Sequence, residues 1–177
     1  MFNISHGRTH GGFTLVELLV TIAMLAIQLS LGVPAFAEML ASWQRDRATK
    51  AITAHLQLAR TEAIKSTRRV VMCNSTDNIN CAPKTNKEWK DGWLLFHDLN
   101  KNTIRDDDEP LIASTLPMTG ILSLKANNSI NHFVFMPSGT MASGMSTLKV
   151  VPRLGHTQNV TVSRVGRVRL SLETTEP

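Results

Sequence analysis

The 177-residue sequence contains no tyrosine, and its other aromatic residues are scarce. None lies between Ser138 and Pro177, so a ligand could not stack on an aromatic side chain in that part of the chain. The H-E-x-x-H, G-x-S-x-G and Walker A motifs are also absent. Gly139 and Gly144 have Walker-like spacing, but Met145 follows where lysine is needed. We therefore expect a protein that is not an enzyme and uses no cofactor.

Cysteine is almost absent as well, with Cys73 and Cys81 as its two occurrences. Both lie beyond a long apolar segment and close together in the sequence, and disulfides persist in exported parts of a protein. A bond between them would close a short loop and contribute about 2–3 kcal/mol in the chain-entropy model. The sequence thus favours one disulfide, with two free thiols as the alternative.

Charge is missing from residues 13–36 apart from Glu17. About 20 apolar residues suffice to cross a bilayer, and a carboxylate within the hydrocarbon is costly unless it is paired. The small residues Gly11 and Gly12 come before this apolar run, whereas a secretory signal peptide carries its small-residue cleavage site after the run. An ordinary signal anchor with a chance glutamate is one interpretation of the pattern.

A second interpretation comes from the sequence Gly12-Phe13-Thr14-Leu15-Val16-Glu17-Leu18, which resembles the class III leader of type IV pilins and type II secretion pseudopilins. The resemblance implies a leader at residues 1–12, cleavage after Gly12 by a prepilin peptidase, and methylation of Phe13. It also implies that Glu17 neutralises the amino terminus of a neighbouring pilin, which would make a buried carboxylate tolerable. The partners implied are other pilins or pseudopilins and the inner membrane.

The resemblance further implies a single pass through the inner membrane, with a periplasmic head that can enter a surface pilus. The flanking charges point the other way, because Arg8 precedes the apolar segment while Arg45, Arg47 and Lys50 follow it. The positive-inside rule would weakly place the bulk of the chain in the cytoplasm. We expect the orientation that the leader implies.

Beyond the membrane segment, apolar residues recur every three or four positions from Leu40 to Ala63. This spacing predicts one helix from Phe13 to about Lys65, roughly 80 Å long, which Pro34 should kink. We divide it into an assembly part at 13–36 and an amphipathic part at 37–69. Residues 70–177 form a β-rich head, and the fold class is α+β. The predicted strands are Val70–Cys73, Gly92–His97, Leu111–Ala113, Ile121–Leu124, His132–Met136, Leu148–Pro152, Asn159–Ser163 and Arg167–Leu172.

Four phrases in the head resemble the GspH/FimT branch of minor pilins. The branch has the type IV pilin fold, in which the long helix packs on an antiparallel sheet. The phrases are Gly92–Phe96, Glu109–Leu111, Phe135–Gly139 and Gly166–Arg169.

Residues 159–172 read as a hairpin whose register can be deduced. Opposed residues share a face, so Val162 should pair with Val168 and Val160 with Leu170. A three-residue loop, Arg164–Gly166, gives this register and puts Gly166 at the left-handed position. The arrangement points Arg167 and Arg169 outward together, places Arg164 at the tip, and lets Lys149 and Arg153 extend the cationic surface.

Guanidinium groups match phosphate oxygens in geometry, so this surface could clamp a DNA backbone independently of sequence and in a salt-dependent manner. The G-R-x-R pattern from Gly166 to Arg169 resembles the DNA-binding element of FimT-type minor pilins, which serve natural transformation. DNA uptake is our functional hypothesis. The alternative is a structural role, as a GspH-like pseudopilin of type II secretion or a pilus-initiating minor pilin. An ordinary solvated strand face would also explain the charges.

A weaker pattern follows the second predicted strand. Calcium-loop positions 1, 3, 5, 7, 9 and 12 would be Asp98, Asn100, Asn102, Ile104, Asp106 and Glu109. Thr103 occupies the position that requires glycine, so we expect a solvated turn rather than a metal site.

Overall fold

A computed structural model describes residues 12–127 and 130–173. The predicted leader, apart from Gly12, and the last four residues of the head lie outside this range. Within these two ranges the chain forms one helix, α1 (Leu15–Ser66), and eight strands. The strands are β1 (Val70–Asn74), β2 (Trp93–His97), β3 (Leu111–Thr115), β4 (Ile121–Ala126), β5 (His132–Phe135), β6 (Ser146–Pro152), β7 (Gln158–Val162) and β8 (Val168–Leu172). The α+β prediction and all eight strands are confirmed, with end residues shifted by one or two positions.

Helix α1 begins where a threonine can cap it. The backbone N–H of Glu17 donates to Oγ1 of Thr14 at 3.2 Å, which satisfies one of the helix's unpaired first-turn donors. The helix then continues through Pro34 to Ser66. The residues up to Ala37 form one compact unit, and those from Glu38 form a second. The first unit contains a stretch of helix that is long and apolar enough to cross a membrane. No residue of that stretch is buried.

The strands of the second unit form two antiparallel four-stranded sheets. Sheet A has the order β3-β2-β1-β5, and sheet B has the order β4-β6-β7-β8. No strand pair joins the two sheets within the described residues. Both contribute instead to one core, which is closed by a face of α1 made of Ala48, Ile52, Leu56, Ala59 and Ala63.

Sheet A also buries its other face. Val71, Cys73, Leu94, Phe96 and Val134 form a second apolar cluster on the side away from α1. The predicted disulfide is confirmed: Cys73 and Cys81 are bonded, with Cα atoms 5.6 Å apart. Cys81 packs on the second cluster, so the bond holds the chain after β1 across this face.

The edge strand β8 is less buried than its neighbour β7. Val160 and Val162 are fully buried, whereas Leu170 and Leu172 are 52% and 56% exposed. Leu170 pairs with Val160 and therefore shares its face. The core cluster includes Val160 and Val162 of β7 but only Val168 of β8. The core-facing side of β8 beyond Val168 is therefore exposed to solvent.

A histidine lies between α1 and sheet A. Nδ1 of His55 accepts a hydrogen bond from Nε1 of Trp93 at 2.8 Å and lies 2.9 Å from Oγ1 of Thr115. Because the indole N–H can only donate, Nδ1 must be unprotonated in this arrangement. Burial lowers the pKa of His55 below its ordinary value.

We expect the stability of the segment 38–177 to fall as the pH drops below about 6.5, where the unfolded histidine takes up a proton that the folded one resists. The contribution of His55 is fully present above that pH and is lost with a slope of at most about 1.4 kcal/mol per pH unit. The measurement is urea denaturation at several pH values between 8 and 5, with tryptophan fluorescence as the signal for unfolding. His55→Gln keeps an acceptor for Trp93 and should flatten the curve, whereas a matched change at the exposed His156 should not. A pH dependence unaltered by His55→Gln would contradict this prediction.

Candidate nucleic-acid interface

The β7–β8 hairpin has the predicted register, with Val162 opposite Val168 and Val160 opposite Leu170. The backbone N–H of Gly166 donates to the carbonyl of Ser163 at 2.8 Å, and the N–H of Ser163 donates to the carbonyl of Arg167 at 2.9 Å. Gly166 has a φ of 75°, the left-handed conformation that glycine adopts without strain. The loop is thus the predicted one, a type I turn closed by a left-handed glycine.

This turn packs tightly against two other parts of the head. A Cβ atom on Gly166 would lie 2.5 Å from the carbonyl oxygen of Gly139 and 2.8 Å from Cδ of Arg60. The backbone N–H of Met141 donates to the carbonyl of Arg164 at 2.8 Å. Nη1 of Arg60 donates to the carbonyl of Gly166 at 3.4 Å. The hairpin tip is therefore held by the chain after β5 and by the last turns of α1.

Arg164, Arg167 and Arg169 surround this turn with exposed side chains. None of the three forms an ion pair with an acidic group among the described residues. Arg167 and Arg169 line the same surface cavity on the outer face of sheet B, so both side chains share that face. The three charges are close together and available to an anionic ligand.

Arg60 adds a fourth guanidinium that the sequence analysis did not single out. Its side chain is half-buried under the hairpin tip, and its Nε atom is buried without a hydrogen-bond partner in the described structure. Its position four residues after Leu56 and four before Ile64 was a signal that it borders the packed face.

The structure does not bring Lys149 and Arg153 into the site as the sequence analysis expected. Lys149 lies on the outer face of β6, two strands across and two residues along from Arg169, which is roughly 12 Å by strand spacing, and its ammonium pairs with the carboxylate of Glu173. Arg153 follows β6 at the end of the strands opposite the turn, roughly 25 Å from the level of Arg167. Arg153 is therefore distant from the turn, because it lies at the opposite end of the strands. Lys149 lies nearer, but its charge is paired with that of Glu173.

The calcium-loop candidates use their oxygen atoms within the loop itself. Oδ2 of Asp106 accepts hydrogen bonds from the side-chain amides of Asn100 and Asn102, at 2.7 and 2.9 Å. The carboxylate of Glu109 is buried and accepts the backbone N–H groups of Leu99 and Asp106. Asp98 pairs with Arg69 at 3.0 Å. Among the residues that the structure describes, no group of three or more His, Cys, Asp or Glu side chains is arranged to hold a metal ion.

Comparison with known proteins defines the class of this fold. Two crystal structures of the type IV minor pilin FimU of Pseudomonas aeruginosa superpose with TM-scores of 0.56 and 0.57, at 19% and 18% identity. Both matches cover 71% of this chain, and they cover 91% and 87% of FimU. The minor pseudopilin EpsH of the Vibrio cholerae type 2 secretion system gives a TM-score of 0.49 at 15% identity, over 73% of this chain and 97% of EpsH. No curated protein sequence matches the chain. The fold is that of type IV pilins.

The family follows from two sequence-family models. The model of the type II transport protein GspH matches residues 48–166, and that of the prokaryotic N-terminal methylation motif matches residues 7–30. The chain therefore belongs to the GspH family of minor pilins and pseudopilins, as its leader and head phrases indicated. The methylation motif and the apolar start of α1 fit a membrane-anchored pilin. The GspH match ends at Gly166, so Arg167 and Arg169 lie beyond it.

We expect Gly166→Ala to destabilise the segment 38–177 by about 2–3 kcal/mol, because the new Cβ is both strained and in contact with a backbone carbonyl. Gly155→Ala is the matched control: its φ is 84°, but a Cβ there meets no atom within 4 Å. The control should cost only about 1 kcal/mol. Urea denaturation of both variants measures the difference, and equal losses would mean that the tip is not packed as described.

Proposed function

We propose that this minor pilin binds DNA independently of sequence through Arg164, Arg167 and Arg169, and that it serves DNA uptake in natural transformation. The observation that carries the proposal is the arrangement of three exposed guanidiniums around one tightly held turn, with no acidic partner among residues 12–127 and 130–173. Arg60 adds positive charge from beneath the turn. A packed turn fixes the backbone positions from which the three arginines project, so less backbone entropy is lost when they bind.

The physical chemistry favours the phosphate backbone as the ligand. Each guanidinium presents a planar fork of donors that fits phosphate oxygens, and neutralising phosphates releases condensed counterions. Contacts of this kind position a protein on DNA without reading its sequence. Binding should therefore weaken steeply with salt and depend little on the sequence of the duplex.

Delivery to the cell surface would follow from the amino-terminal segment. The leader resemblance suggests cleavage after Gly12, methylation of Phe13 and assembly through residues 13–36 into a pilus, with Glu17 pairing with the amino terminus of a neighbouring subunit. The link to transformation rests on the G-R-x-R resemblance to FimT-type minor pilins. The head would then present its cationic hairpin to DNA outside the inner membrane.

The second candidate is a purely structural role in a type II secretion pseudopilus or in pilus initiation. The match of residues 48–166 to the type II transport protein GspH favours it. A structural subunit would need the helix and the sheets but no nucleic-acid ligand.

Arg167→Gln/Arg169→Gln tests the clamp. We expect the double variant to lose roughly tenfold or more in affinity for duplexes of unrelated sequence at low salt, and the slope of log K against log salt to shrink by about 2. The measurement is a fluorescence-anisotropy titration of the full chain in neutral detergent at several salt concentrations. Denaturation midpoints should match those of the wild type, because both side chains are exposed.

A charge-matched control separates the clamp from net charge. Lys84→Gln/Arg153→Gln also removes two positive charges, but from exposed positions outside the hairpin tip. The control should keep the affinity within about twofold, since exposed charges beyond a Debye length of roughly 10 Å are largely screened at moderate salt. Equal losses in both variants would reduce the interaction to net charge, and absence of wild-type binding at low salt would favour the structural role.

Glu17→Val tests the assembly role. We expect the variant to insert into the membrane at least as well as the wild type, because it removes a charge from the apolar segment. Its recovery in sheared fibres, in cells that make the whole assembly, should drop because the neighbouring amino terminus stays unpaired. Gln28→Val removes another polar side chain from the same segment and should assemble normally. Normal assembly of Glu17→Val would exclude the neutralising role.

A further inference from the structure

A surface cavity of about 340 Å³ adjoins the cationic hairpin on the outer face of sheet B. Its lining is mainly apolar although four of its six residues are polar. Two hydrogen bonds explain this: the Oγ1 atoms of Thr147 and Thr161 bond to each other at 2.9 Å, and Oγ of Ser163 accepts from the backbone N–H of Arg167 at 3.1 Å. The hydroxyls are thus engaged within the protein. The lining residues are Met145, Thr161, Ser163, Val165, Arg167 and Arg169.

A clamp that touches phosphates alone would gain nothing from such a cavity. Phosphate oxygens need donors, whereas apolar lining is stabilised by removing an apolar group from water. The fitting ligand therefore carries a group with an apolar face a few bonds away from an anion. A nucleotide with an unpaired base has this composition, and the cavity is larger than one nucleobase.

The spacing of the two arginines is compatible with such a ligand. Arg167 immediately precedes β8 and Arg169 lies two positions further along, so in extended chain their Cα atoms are about 6.6 Å apart, which is similar to the distance between successive phosphates of one strand. A guanidinium can also stack on a base, which supplies a stacking surface where the chain has no aromatic residue. One arginine can hold a phosphate while the other lies against the base.

We propose that this cavity seats an unpaired base of a single-stranded nucleic acid, so that the hairpin recognises bases as well as phosphates. This inference rests on the proposed function, since the same arginines bind the backbone. In a duplex the base faces are covered by their neighbours, and the cavity would stay empty. Single strands would then gain an interaction that duplexes lack.

The decisive probe is a strand that keeps its phosphates and loses its bases. Fluorescently labelled oligothymidylate of about ten nucleotides, within the site sizes of known single-strand binders, is compared with an abasic strand of equal length. The full chain in neutral detergent should bind the base-bearing strand roughly tenfold more tightly at equal salt, as expected for one stacked base.

Variants that alter the cavity without changing the charge test whether the base binds in the cavity. Val165 is 55% exposed in the turn, and Val165→Ser removes apolar lining with little risk to folding. We expect it to shrink the ratio of base-bearing to abasic affinity several-fold. Leu122→Ser, a matched loss of an exposed apolar side chain on β4, should leave that ratio unchanged.

The outcomes separate this inference from the phosphate clamp. Equal affinities for base-bearing and abasic strands would overturn the base seat, and the clamp would still stand if Arg167→Gln/Arg169→Gln weakened both. A ratio that is high but unaffected by Val165→Ser would place the base elsewhere and also overturn the seat. Failure of every nucleic-acid probe to bind would overturn the clamp and the seat together.

Discussion

The head depends on one apolar face of α1 being buried against two sheets at once. No strand pairing joins sheet A to sheet B within the described residues, so their common core is held by the helix and by connecting loops. Small side chains at Ala48, Ala59 and Ala63 let the strands approach, while Ile52 and Leu56 fill the space between them. Burying each of the larger side chains contributes about 1.5–3 kcal/mol. The cationic hairpin belongs to the same arrangement, because its turn packs on Arg60 in the last turns of α1.

Much of this fold could be predicted because its periodicities are local. Spacing of three and four residues identified α1, alternation identified the strands, and the apolar pairs of β7 and β8 permitted one register. Gly166 completed the turn because few residues other than glycine adopt its conformation without strain. The burial of β1 and β2 on both faces was harder to predict from the sequence, because it depends on which loop covers the outer face of sheet A. The bond between Cys73 and Cys81 secures that cover.

The candidate site was predicted less completely because its membership depends on contacts between distant segments. Nothing near Arg60 in the sequence indicates that it lies beneath a turn more than a hundred residues away. Lys149 and Arg153 seemed equivalent as cations of one strand region, yet antiparallel pairing separates Arg153 from the turn and Glu173 engages Lys149. The loop 98–109 was predicted as a solvated turn, and the sequence alone did not reveal that Glu109 is buried and accepts hydrogen bonds from the backbone of its own loop.

The boundary of the family match suggests how a ligand could be added to a structural subunit. Residues 48–166 include the packed part of α1, both sheets up to the turn, and the glycine that closes it. The arginines that would distinguish a DNA receptor from a scaffold follow immediately before and on β8, an edge strand that packs on the common core only through Val168. Changes on its outer face therefore cost little stability, since exposed substitutions usually shift it by less than about 0.5 kcal/mol. The charges on such a surface can vary without disturbing the core. Members of one family could therefore differ in function there while sharing a fold.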